Sequence, residues 1–242
     1  MSGDLTRPMP TGYPPGRLAR RRRRRGPLAL LVLLVVIVVA LVVADRAAAA
    51  YAGSQAAKQM QSHGFPGKPT VTMEGFPFLT QVARRNLQDV HITASRLREG
   101  PVTASLVADA TGVRLNPGYQ SGVVSQAHGT VLISFASLAS VAENAGAPGV
   151  TASADGGNRI KFKVNLQFFT TTMIASISRV GPQKLQFHII SAGGLPASLL
   201  GSFSNLTFSL PPLPYGIAIQ SVSVTSQGLV GRLTARDIHF TR

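Results

Sequence analysis

Two textures of apolar residues divide the chain. Leu28 to Ala44 reads LALLVLLVVIVVALVVA, 17 residues without one polar side chain. As a helix this run is about 26 Å long at ~1.5 Å per residue. With Gly26 and Pro27 it approaches the ~30 Å hydrocarbon core of a bilayer. Asp45 to His63 is rich in Ala, Gln and Lys, so helix formers dominate, until Gly64, Pro66, Gly67 and Pro69 end it. This second stretch predicts a helix that continues the apolar one or folds back just after it.

Beyond Pro69, short runs rich in Val, Ile, Thr and Phe are spaced by Gly, Pro, Asn and Ser, which predicts strands and turns. Strands are expected at Thr70–Glu74, Leu87–Ala94, Val102–Leu115 (interrupted near Thr111-Gly112), Thr130–Ser134, Val150–Ser153 and Arg159–Gln167. Further strands are expected at Thr171–Arg179, Lys184–Ile190, Leu206–Leu210, Ile217–Thr225 and Leu229–Phe240. Ile160, Phe162, Val164 and Leu166 alternate with Lys161, Lys163, Asn165 and Gln167. Such alternation belongs to an antiparallel sheet with one wet face. The alternation slips near Ser221-Val222 and near Asp237-Ile238, which predicts bulges or bends. Asp155-Gly156-Gly157-Asn158 predicts a hairpin turn. Short helices are expected at Phe135–Asn144 and Pro196–Phe203. The predicted class is α+β: mostly antiparallel strands with one long and two short helices, preceded by one transmembrane helix.

Charge sharpens the division. The chain carries a formal net charge of +15. Arg7, Arg17 and Arg20 to Arg25 against Asp4 place +7 in the first 26 residues. The remaining +8 is spread from Asp45 to Arg242. A nucleic-acid surface needs clustered charge beside exposed rings, and the arginine block here borders an apolar run instead. Positive charge stays on the cytoplasmic side. The expected organisation is a cytoplasmic arm (1–26), a signal-anchor span (27–44) and an exported domain (45–242). The span is slightly long for a signal peptide, yet Ala47 to Ala50 and Ala52 offer cleavage sites of the A-x-A kind.

The absence of cysteine excludes disulfides, thiolate zinc sites and a cysteine nucleophile. No nucleophile elbow, phosphate loop or dinucleotide fingerprint occurs, and no cofactor is implied. His91 near Asp89, and His239 near Asp237, share strand faces, so a four-residue site from two strands is geometrically possible. Exposed polar positions on a wet sheet face are the plainer reading. An enzyme is not expected, and a hydrolase of an unrecognised kind stays only as the second alternative. What remains is an excess of phenylalanine. In a curled sheet closed by a helix, Phe76, Phe78, Leu79, Phe162, Phe168, Phe187 and Phe203 either fill the interior or line a cavity suited to acyl chains.

Two segments carry a family resemblance. Thr70 to Arg98 runs a strand into Gly75-Phe76-Pro77-Phe78-Leu79-Thr80 and on to Val90–Ala94. Leu213-Pro214-Tyr215-Gly216 is followed by Gly228-Leu229 and a last strand to Phe240. Together they resemble the LmeA-like phospholipid-binding family of actinobacterial envelope proteins, over about residues 45 to 242. The resemblance implies an exported, membrane-associated protein that binds phospholipid, phosphatidylinositol-type lipids being the suspected class, and that helps maintain or transfer envelope lipids. It also implies a fold like that of tubular lipid-binding proteins: a long helix packed on a strongly twisted, curled antiparallel sheet. The Phe-Pro-Phe-Leu stretch reads either as an anchored bend or as a cavity mouth touching acyl chains. Arg84 and Arg85 are candidates to meet a lipid phosphate, or are a solvated pair. Family members often have Gly there, so the local turn is expected to differ. The alternative function is a non-catalytic envelope scaffold binding a protein or glycan.

Overall fold

The computed structural model describes residues 26–65, 67–99, 102–144, 149–165, 170–182, 184–194, 205–209 and 216–241. The chain divides at Leu41/Val42 into two compact units. In the first, the apolar side chains from Leu28 to Leu41 are exposed on every side of the helix. This is the one helix among the described residues long and apolar enough to cross a membrane.

The expected second helix continues the apolar one without a break: α1 is Gly26–Ser62. After it the chain forms β1 (Lys68–Met73), α2 (Phe78–Ala83), β2 (Asn86–Glu99), β3 (Val102–Leu115), β4 (Ser121–Ser134) and α3 (Phe135–Asn144). Then come β5 (Val150–Ala154), β6 (Arg159–Asn165), β7 (Thr170–Gly181), β8 (Lys184–Ser191), β9 (Asn205–Ser209), β10 (Ala218–Val224) and β11 (Gly228–Thr241). The class is α+β, and the sheets are antiparallel. The strands divide over two sheets, which alternation alone does not reveal. One has the order β1-β2-β3-β4-β11-β10 and the other β5-β6-β7-β8-β9. The helix expected at Pro196–Phe203 lies outside the described residues.

Alternation reverses in four neighbouring strands at one level of the large sheet. The inward residues are Leu87 and Val90 in β2, Ala110 and Val113 in β3, Val124 and Ala127 in β4, and Ala235 and Phe240 in β11. Pairing sums stay constant across this level, because every strand slips together. Gly112 and Asp237 stand there with left-handed backbones, φ 64° and 50°. Ser125 Oγ donates to the Gly112 carbonyl at 3.0 Å. The interruption expected at Thr111-Gly112 and the slip expected at Asp237 are thus two points on one transverse bend. The slip expected near Ser221 is a register shift between Ile219 and Ser221.

Two cores result. The first joins Ala49 of α1 to Val71, Phe78, Leu87, Val90, Ala110 and Val113. The second joins Ile160 and Ile177 of the small sheet to Leu229. The predicted hairpin forms between β5 and β6, with Gly156, Gly157 and Asn158 all at positive φ. Its last residue ties the sheets together. Asn158 Nδ2 donates to the Ile177 carbonyl at 2.6 Å, and its Oδ1 accepts the Val224 amide at 2.7 Å.

Candidate functional site: the helix and edge-strand groove

The Ala-rich half of α1 meets β1, the edge strand of the large sheet. Gly53 is the point of closest approach. A Cβ built there would overlap the Val71 carbonyl oxygen, so only glycine lets the helix backbone touch the strand edge. On the same flank the small side chains of Ala49, Ala50, Ser54 and Ala57 leave a groove of about 550 Å³ against Pro69–Met73. Its length from Arg46 to Ala57 is about 17 Å along the helix. Its walls are mostly apolar, with Arg46 at one end. An elongated apolar trough with one cationic end suits an amphiphile, since apolar walls take a chain and a guanidinium takes an anion.

That end is braced by the Gly-Phe-Pro-Phe-Leu-Thr segment. Asp45 is 3% exposed. Its carboxylate accepts the Leu79 amide at 2.8 Å and the Phe78 amide at 3.0 Å, satisfying two free donors at the start of α2. Burial pushes the Asp45 carboxyl up. The amides of Leu79 and Phe78, together with Arg46, outweigh that and hold it below the usual carboxylate range. Arg46 Nη2 donates to Asp45 and to the Gly75 carbonyl, both at 2.8 Å, and among the described residues Nε and Nη1 have no acceptor. The Arg46 guanidinium also lies 5.1 Å from the centre of the Phe76 ring. Gln81 completes the brace: its amide donates to the Glu74 carbonyl, and its oxygen accepts the Gln88 amide. Gly75, at φ 83°, has no room for a side chain beside Gln81.

The sequence-predicted residues fall in different places. Phe78 is 4% exposed and belongs to the first core. Phe76 and Leu79 are exposed beside it. Phe162 and Phe187 pack in the second core, away from the groove. Phe168 and Phe203 lie outside the described residues. Arg84 and Arg85 are exposed at the end of α2. Arg85 has φ 56°, a left-handed conformation in which glycine is unstrained. Asp45, Arg46 and the small-residue flank of α1 were not anticipated. The available signal was the first charged pair after the apolar run, followed by small residues at helical spacing.

The four-residue site considered for His91, Asp89, His239 and Asp237 does not form. β3 and β4 separate β2 from β11, which places the two pairs about 14 Å apart at ~4.8 Å per strand. His91 pairs instead with Asp109 of β3, Nδ1 to Oδ1 at 2.5 Å, on an open sheet face. Among the described residues no group of three metal-ligating side chains gathers.

No curated protein and no solved structure matches the chain. A family model does, described as LmeA-like phospholipid-binding, over residues 43–234. That span takes in the groove, the braced segment, the small sheet and the large sheet as far as Thr234 of β11, and the chain belongs to the LmeA-like phospholipid-binding family.

Proposed function

We propose that this protein is a membrane-anchored, exported phospholipid carrier. It lays an acyl chain in the groove between α1 and β1, with the lipid phosphate at Arg46. The observation that carries this reading is the apolar trough ending at a guanidinium whose Nε and Nη1 have no acceptor among the described residues. Membership of a phospholipid-binding family supports it. Residues 1–26 stay in the cytoplasm, 27–44 span the membrane, and 45–242 face the exterior. A groove open along its side lets a lipid enter and leave without unfolding the domain, which suits upkeep or transfer of envelope lipids. Anionic lipids of the phosphatidylinositol type are the class to test first. No catalytic step is assigned.

The test is binding of a fluorescent-acyl phospholipid to the full chain in mild detergent. Ala50 and Ser54 are exposed on the groove side of α1, so Ala50→Phe and Ser54→Phe fill it without entering the core. Each filling variant is expected to weaken binding by about tenfold or more, equivalent to ~1.4 kcal/mol. Arg46→Gln is expected to weaken anionic lipid more than zwitterionic lipid. Unchanged binding in both phenylalanine variants contradicts the groove as the site.

A further inference from the structure

The braced segment displays large apolar side chains that the fold does not use. Phe76 is 60% and Leu79 47% exposed, while Phe78 between them is buried. The exposed pair stands on a backbone held at three points: Gly75 by Arg46, and Phe78 and Leu79 by Asp45. Arg46 lies over the Phe76 ring. Arg84 and Arg85 close the other end of α2, about 9 Å away at ~1.5 Å per residue. Tyr119 is 44% exposed and donates its hydroxyl to the Val82 carbonyl at 3.3 Å. Glu74 and Asp89 are exposed acids at this end, the Asp89 carbonyl accepting the Glu74 amide at 3.0 Å. Aromatic rings, an aliphatic tip and arginines are the mixture that settles at the boundary between lipid chains and headgroups.

The position fits the same boundary. Asp45 and Arg46 directly follow Ala44, the last residue of the apolar run. Because they grip the segment, Phe76 and Leu79 are held at the level where the apolar helix ends. We propose that Phe76 and Leu79 insert into the interfacial layer of an anionic bilayer, the one that Leu28–Ala44 crosses. Arg46, Arg84 and Arg85 then lie on its headgroups, and the groove end at Arg46 opens onto lipid. This inference rests on the reading of Leu28–Ala44 as a membrane span.

The chain has no tryptophan, so single substitutions report position cleanly. Leu34→Trp, Phe76→Trp, Leu79→Trp and Val180→Trp are made in the full chain. Each is reconstituted in anionic vesicles whose lipids carry bromine both near the top and near the end of the acyl chain, so that interfacial and central positions are each within reach. Leu34→Trp, Phe76→Trp and Leu79→Trp are expected to lose emission by roughly twofold or more. Val180→Trp, on an exposed part of β7, is expected to keep it. Quenching of Leu34→Trp with none at positions 76 and 79 overturns the inference and leaves the span standing. No quenching of Leu34→Trp removes the span, and the inference with it. Equal quenching of Val180→Trp overturns the assignment to this segment. Charge is tested in zwitterionic vesicles, where quenching at position 76 is expected to fall; equal quenching removes the arginines from the proposal.

Discussion

The Asp45 carboxylate accepts the Leu79 amide at 2.8 Å across 34 residues of sequence. This bond and its partner at Phe78 make the first charged residue after the apolar run the cap of α2, a helix it does not belong to. Asp45→Ala is expected to lower the unfolding midpoint of the full chain in detergent by roughly 2–8 °C. Asp45→Asn, which keeps a carbonyl acceptor, is expected to lower it less. A thermal melt followed by circular dichroism checks both. Equal melts for all three chains mean that the cap is not formed.

Gly53 reverses the usual helix rule. In an ordinary helix interior Gly→Ala is favourable by roughly 1 kcal/mol. Here the added methyl meets the Val71 carbonyl on the strand edge. Gly53→Ala is therefore expected to destabilise by about 1–3 kcal/mol as the helix is pushed off β1. Denaturant unfolding gives the sign. A more stable Gly53→Ala chain contradicts the close approach of α1 and β1.

The turn after α2 distinguishes two neighbouring arginines. Arg84 has right-handed helical angles, φ −81° and ψ −5°, whereas Arg85 is left-handed at φ 56°. Arg85→Gly is expected to stabilise the chain by about 1 kcal/mol, and Arg84→Gly to do the reverse. Paired unfolding curves check this. The same sign for both variants contradicts the turn geometry.

The hairpin of the small sheet carries an acid-sensitive contact. Lys161 Nζ lies 2.6 Å from Asp155 Oδ1, and Arg159 Nε lies 3.4 Å from Asp155 Oδ2. The Lys161 hydrogen bond comes first in holding the Asp155 carboxyl below the usual carboxylate range. Burial opposes it, and the charges of Lys161 and Arg159 add to it. A depressed folded value means stability present above the unfolded value of about 3.8 and lost as pH falls below it. Asp155→Asn is thus expected to melt lower than the parent at pH 7, with the gap closing as pH drops below that value. A gap independent of pH contradicts the ion pair.

Strands and helices were legible where local pattern and tertiary demand agree. Phe135–Asn144 matches α3, and the turn Asp155–Asn158 matches its hairpin. The sequence predicts β4 only from Thr130, because Ser121–Gly129 is small or polar apart from Val123 and Val124. Its place between β3 and β11 makes that stretch a strand regardless. The transverse bend was visible only at Thr111-Gly112 and at Asp237. Its alignment across β2, β3, β4 and β11 depends on register, which a single sequence does not display. The groove escaped for a similar reason. It is made by what α1 lacks, the small side chains at Ala49, Ala50, Gly53 and Ala57, against a strand whose edge had to be known first. The bulky residues suited to acyl contact, Phe162 and Phe187, pack instead in the second core.

The central claim is that a phospholipid chain lies between α1 and β1. Photo-crosslinking with a phospholipid bearing a diazirine along its acyl chain tests it most directly, when applied to the full chain in membranes and mapped by peptide mass spectrometry. Crosslinks in residues 46–57 and 69–73, beyond those that bulk lipid gives in 28–44, are the predicted result, and Ser54→Phe is expected to abolish them. Crosslinks confined to 28–44, or groove crosslinks unchanged by Ser54→Phe, would contradict the account.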